Sequence, residues 1–358
     1  MKLPCITMLA TLLLTVPAAA QLQITPPAAT PSTAPAKPKP KPHTITKKKE
    51  AAPAPKPSAS PKPSPSPKPA ETVIPAPPTD NSNVDLVFGA YQRGQYKTAF
   101  DLATARAQGG DPKAMTMLGE LYSNAMGIRR DYAKAAEWYK RAADAGDREA
   151  MFALAMLRIS GRGGPVDKNE AVKLMASAAK LGEPKAAYNL ALLYLDGQTL
   201  PQDVKRSAEL LRQAADAGLP EAQYALATFY KEGTGVPKDP ERAVRLLQAA
   251  SLANNVDAEV EYAIAMFNGT GTPKNQPAAV ALLRKASRQG SAIAQNRLAW
   301  VLINGVGAPV DKIEGFKWHL VAKTGGKGDP ELDKQLSDLP AEDRAKAEAA
   351  AKKWLGTQ

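Results

Sequence analysis

The sequence predicts an all-α solenoid built from tandem 36-residue helix-turn-helix units. Three observations carry that expectation: a fixed 36-residue period, helix start and stop signals that alternate inside it, and a composition change near residue 84. Steps of 36 from Gly110 land on Gly146, Gly182, Gly218, Asn254, Gly290 and Gly326. A second register holds Gly161, Gly197, Gly233, Gly269 and Gly305, and a third holds Asp131, Asp167, Asp203, Asp239, Asn275 and Asp311. Alanines recur at Ala142, Ala178, Ala214, Ala250, Ala286 and Ala322, and again at Ala114, Ala150, Ala186, Ala222, Ala258 and Ala294. No insertion interrupts the six units of residues 111–326. A constant period of this length is the mark of stacked supersecondary units, each unable to bury its apolar face alone.

Each unit spells out a hairpin. In the first, Asp111-Pro112 sets an N-cap before a proline at the first helical position. Helix A then runs from about Pro112 to Ser123, with Ala114, Leu118 and Tyr122 on one face. A loop follows that is glycine-rich in most units, and its glycines permit the positive φ that reverses the chain. Asp131 caps helix B, and Asp167 with Glu170 and Asp311 with Glu314 spell capping boxes. Helix B ends in Ala142-Ala143-Asp144-Ala145-Gly146, with glycine at the left-handed position after a helix.

The ends of the stack differ from its middle. Residues 84–110 read as a hairpin with a shorter loop. Residues 327–358 read as capping helices, a short one opened by Asp329-Pro330 and a charged one opened by Pro340-Ala341-Glu342. Ahead of the stack, residues 21–83 hold 18 prolines among Ala, Ser, Thr and Lys, with too little apolar matter to form a core. Residues 1–20 read as a secretory signal: Lys2, the apolar stretch Ile6 to Val16, and small residues Ala18-Ala19-Ala20. That stretch falls short of the about 20 residues that span a bilayer, and no later segment is apolar enough to do so.

Charge and cysteine narrow the function. Of the net charge of +12, residues 21–83 hold +6, nine Lys against Glu50, Glu71 and Asp80. The basic character therefore belongs largely to the linker, whereas a nucleic-acid-binding domain concentrates charge on a folded face, so no nucleic-acid partner is expected. Cys5, the single cysteine, lies in the signal, which removes thiol catalysis and cysteine-based metal sites from the mature chain. No Gly-x-Ser-x-Gly, P-loop or His-Glu-x-x-His motif is present. The stretch Gly161-Arg162-Gly163-Gly164-Pro165 lies in the loop register of the other units and reads as a turn, not a phosphate cradle. His319 shares a register with Tyr139, Met175, Leu211, Leu247 and Leu283 and reads as a packing residue. No catalytic residue, metal ligand or cofactor is assigned.

The pattern Ala-x-x-x-Leu-Gly-x-x-Tyr at Ala114–Tyr122, the loop Gly233-Thr234-Gly235 with Asp239, and the ending Ala142-Ala143-x-x-Gly146 resemble Sel1-like repeats, relatives of tetratricopeptide repeats. The resemblance covers residues 111–326. It implies a right-handed superhelix acting as a non-catalytic scaffold or adaptor, often in bacterial envelopes. Members with a cysteine pair in each repeat have been linked to penicillin-binding or β-lactamase activity. A peptidoglycan- or β-lactam-active enzyme is accordingly the alternative to a scaffold, although this chain lacks those cysteines.

By analogy with tetratricopeptide geometry, the variable positions of helix A face the concave side. One register reads Glu120, Met156, Leu192, Thr228, Ile264 and Trp300, and another Ser123, Ile159, Leu195, Lys231, Phe267 and Ile303. The expected partner-binding strips are Met156, Ile159, Leu192 and Leu195, and then Ile264, Phe267, Trp300 and Ile303; packing against neighbouring helices is the competing account of the same residues. Phe152, Tyr188 and Tyr224 match the family's recurrent aromatic and are expected to be structural. The expected partner is a protein or peptide in the periplasm, or outside, of a Gram-negative bacterium. The Lys/Pro linker offers a possible second contact with peptidoglycan or another anionic surface.

Overall fold

The computed structural model describes residues 85–356; the signal and the linker lie outside the described residues. Every regular element among them is a helix. Helices α1 (Leu86–Gln92) and α2 (Tyr96–Gln108) form the N-terminal hairpin. Six repeats follow: α3 (Pro112–Asn124) with α4 (Tyr132–Asp144), α5 (Arg148–Ser160) with α6 (Lys168–Lys180), and α7 (Pro184–Asp196) with α8 (Val204–Asp216). Then come α9 (Pro220–Glu232) with α10 (Pro240–Leu252), α11 (Val256–Asn268) with α12 (Gln276–Arg288), and α13 (Ala292–Asn304) with α14 (Lys312–Thr324). Helices α15 (Pro330–Ser337) and α16 (Ala341–Leu355) close the chain. From α1 to α14 each helix packs chiefly on its predecessor and successor, the contact pattern of a solenoid.

The recurrent alanines occupy the tightest places. Ala142, Ala178, Ala214, Ala250, Ala286 and Ala322 are fully buried, as close helix approach requires. In α3 the spacing is closer still: a Cβ on Gly119 would lie 2.5 Å from the Tyr139 ring. The other repeats have alanine at the Gly119 position and Met, Leu or His at the Tyr139 position, so small and large residues are matched across each hairpin. Burial there pushes the Tyr139 phenol up to about 12.

The aspartate caps form, but the capping boxes do not. Asp167 accepts from the Glu170 amide and Asp311 from the Glu314 amide, each as a helix N-cap. The reciprocal half is missing because the cap's own N–H is already committed to helix A: Asp167 N–H donates to Arg158 O at 3.0 Å and Asp311 N–H to Leu302 O at 2.9 Å. Tyr122, Tyr194, Tyr230 and Met266 carbonyls receive the same bond in the other repeats, so it closes each hairpin. The freed carboxylates pair with arginines, Glu170 with Arg158 at 2.7 Å and Glu314 with both oxygens on Arg284 at 2.8 Å.

Two glycine registers behave as the turn reading expects, with instructive substitutions. Asn254 takes φ 63° in one of them, a conformation asparagine tolerates. Ala125 replaces glycine in the other and is held left-handed at φ 58°. That backbone costs an alanine about 1 kcal/mol. Ala125→Gly is accordingly expected to stabilise the chain by roughly 0.5–1 kcal/mol in urea unfolding, an unusual sign for a mutation to glycine.

The C-terminal end is fastened by aromatic and polar contacts, not merely covered by charge. Trp354 of α16 meets Trp318 of α14 edge-on, with centroids 5.0 Å apart. Lys317 lies over both rings, and burial lowers its pKa. His319 is buried, and with Asp333 ionised its Nε2–H donates to Asp333 Oδ1 at 2.9 Å, tying α15 to α14. Lys323 binds the same carboxylate, which these two partners hold below the ordinary carboxylate range.

Candidate functional site

The first helices of the six repeats, α3, α5, α7, α9, α11 and α13, form one layer of the stack. All six end in a left-handed C-cap, and all but α9, which is opened by Leu219-Pro220, have a side-chain N-cap; each is 13 residues long, so equivalent positions line up from repeat to repeat. Within this layer Met156, Ile159, Leu192, Leu195, Ile264 and Trp300 are half-buried. Phe267 and Ile303 were expected beside them but are 5% and 7% exposed, which withdraws them from any partner. Ile303 is buried because Gly315 makes room for it: a Cβ there would come within 2.6 Å of its Cγ1. The second strip thus shrinks to Ile264 and Trp300.

The residues of the first strip form an apolar window on two adjacent helices of the layer. Met156 and Ile159 of α5 and Leu192 and Leu195 of α7 keep part of their surface exposed, while Met156, Ile159 and Leu195 also rest on the core. Charge begins at its borders. On one side Glu120 accepts from the Tyr91 hydroxyl at 2.8 Å, and on the other Lys231 pairs with Glu261 at 3.0 Å across α9 and α11.

The register of Phe152, Tyr188 and Tyr224 was expected to be structural. All three do rest on the core, yet all three are half-buried and continue the window. Burial raises the phenol pKa of Tyr188, with Glu221 adding to it. Burial also raises that of Tyr224, with Glu261, Asp257 and Glu232 adding to it. The recurrence of an aromatic was visible in the sequence. That a carboxylate of the next helix lies beside it was not, because the pairing crosses 33 to 37 residues.

Among the described residues no group of three or more His, Cys, Asp or Glu is placed to hold a metal ion. No described helix is long and apolar enough to cross a membrane.

Six consecutive segments match the Sel1 repeat: residues 112–147, 148–183, 184–219, 220–255, 256–291 and 292–326. The chain belongs to the Sel1-repeat family. Solved Sel1-repeat structures share its fold. A Sel1 repeat protein from Oxalobacter formigenes is 27% identical with a TM-score of 0.60, covering 67% of this chain and 98% of its own. A protective antigen present in uropathogenic Escherichia coli strains, displaying an SLR fold, is 23% identical with a TM-score of 0.52, covering 72% of this chain and 64% of its own. No curated protein matches the chain. Sel1-repeat proteins generally mediate protein–protein interaction, and the fold is typically a non-catalytic scaffold. In this Sel1-repeat chain Met156, Ile159, Leu192 and Leu195 are half-buried positions of the helix-A layer whose residue type varies from repeat to repeat.

Proposed function

We propose that this protein is an exported interaction scaffold that holds a short amphipathic segment of a partner protein against its helix-A layer. The observation that carries the reading is the window itself: Met156, Ile159, Leu192 and Leu195 keep apolar surface in contact with water on two neighbouring helices. Paired residues three apart on two parallel helices match the spacing with which an amphipathic helix presents its anchors. The signal-like pattern of residues 1–20 supports the exported part of this reading, with a partner in the periplasm or outside the cell.

Leu192→Ser tests the reading. Removing one partly exposed anchor is expected to weaken partner binding roughly tenfold while the helical melt moves by less than about 1 kcal/mol. In-cell crosslinking followed by mass spectrometry of the periplasmic fraction reads the first effect, and circular dichroism the second. A crosslinked set that Leu192→Ser leaves unchanged overturns the proposal. So does a variant that loses its helices, because Leu192 would then be core.

A further inference from the structure

The window is flanked on its α9 side by an excess of carboxylates. Helices α9 and α11 carry Glu221, Glu232, Asp257, Glu259 and Glu261 against Lys231 alone, five acidic groups less one basic, or −4. Glu259 is neutralised by Lys285 of α12 at 2.7 Å, and Glu261 pairs with Lys231 at 3.0 Å and is also faced by Arg297 of α13, which leaves Glu221, Glu232 and Asp257 as the carboxylates of the two helices without an ion pair among the described residues. The charged groups that act on the Tyr188 and Tyr224 hydroxyls are carboxylates, Glu221 on the first and Glu261, Asp257 and Glu232 on the second.

Six aromatic rings of the described chain carry a cation of their own, and Tyr188 and Tyr224 are not among them. Lys134 lies over Tyr122, Arg141 over Trp138 and Arg242 over Tyr230. Elsewhere Arg130 and Arg162 lie over Tyr132, and Lys317 over Trp318 and Trp354. Tyr188 and Tyr224 are half-buried aromatic surfaces beside carboxylates, with no cation of the described chain over either ring. An aromatic face edged by carboxylates favours an ammonium or guanidinium through ring and charge together.

We propose that the partner segment is basic as well as apolar, placing a Lys or Arg side chain at Tyr188 and Tyr224 while its apolar anchors fill the window at Met156 and Leu192. This deepens the scaffold reading and rests on it. Charge complementarity chooses the occupant: an acidic segment would bring its charge against Glu221 and Asp257, and a neutral one would leave the rings without a cation.

Three fluorescein-labelled helical peptides test the inference, identical in their apolar face and carrying Lys, Gln or Glu at the flanking positions. Fluorescence anisotropy against the full chain is expected to rank them Lys, Gln, Glu, with about tenfold between the first two. That advantage is expected to shrink below about threefold at high salt and in the Glu221→Gln/Asp257→Asn variant, whose binding of the Gln peptide should stay unchanged. Equal binding of the Lys and Glu peptides overturns the basic-partner inference and leaves the window intact. A Lys advantage that persists in the double variant overturns it as well, because the charge would then be read elsewhere. Failure of all three peptides to bind, or binding that Leu192→Ser does not weaken, overturns the window and the inference together.

Discussion

Gly271→Ala is expected to cost about 3–4 kcal/mol and to split the unfolding transition, although it adds a single methyl in a surface loop. A Cβ at Gly271 would lie 2.3 Å from the Pro240 carbonyl oxygen and 2.6 Å from its carbon, in a backbone already at φ +69°. The left-handed backbone accounts for about 1 kcal/mol, and the collision with rigid backbone for the remainder. Pro240 starts helix B of the preceding repeat, so the contact is the one by which the loop of repeat five seats on repeat four. Gly127, Gly163, Gly235 and Gly307 make the equivalent approach to Tyr96, Tyr132, Val204 and Gln276, each 31 residues earlier. Repeats coupled only to their neighbours lose cooperativity when one interface is weakened. Chemical denaturation followed by circular dichroism should therefore show two transitions where the parent shows one. Gly290→Ala is the control: φ there is +91°, but nothing lies within 4 Å, and a loss of about 1–2 kcal/mol with one transition is expected. Equal losses for the two variants would rule out the close-approach account.

Lys285→Met is expected to destabilise the chain by roughly 3 kcal/mol, the low end for a broken buried ion pair. Glu259 is fully buried in α11, and Lys285 Nζ at 2.7 Å is the only hydrogen-bond partner of its carboxylate among the described residues. Lys285 keeps 42% of its side chain exposed, so water relieves part of the loss. The position matters because the same register holds Gln223 and Gln295, whose amides donate to the Ala215 and Ser287 carbonyls at the end of the preceding helix B. A carboxylate has no proton to give that carbonyl and turns to a lysine of its own hairpin. Glu259→Gln restores the amide that Gln223 and Gln295 supply in the two flanking repeats. Combined with Lys285→Met it is expected to recover most of the lost stability. Urea unfolding of the two single variants and the double variant measures the coupling, and additive losses would show that the pair does not act as a unit.

Much of the fold was legible because its determinants are local. Asp131, Pro112 and Gly146 act within one turn of where they stand, and their repetition at 36 residues announces both the hairpin and the stack. The capping boxes were misread for the same reason. Local pattern pairs Glu170 with Asp167, whereas the cap amide is claimed by Arg158 O and the carboxylate by the Arg158 side chain. Gly271 belongs to the glycine-rich loop that the sequence marks as a turn, and its close approach to Pro240 came only with the stacked neighbour. The candidate site divides likewise. Variable registers pointed to Met156, Ile159, Leu192 and Leu195, but the same registers included Phe267 and Ile303, which the hairpin buries.

By itself, then, the sequence determined the kind of unit, its length, its caps and the order in which units follow, because each depends on residues a few positions apart. Tertiary structure alone decided which half-apolar positions stay open. Burial at Ile303 depends on the volume of a residue on the facing helix, Gly315, and the charge beside Tyr188 and Tyr224 on carboxylates brought from the next repeat. Those are sums over neighbours that no single stretch of chain contains.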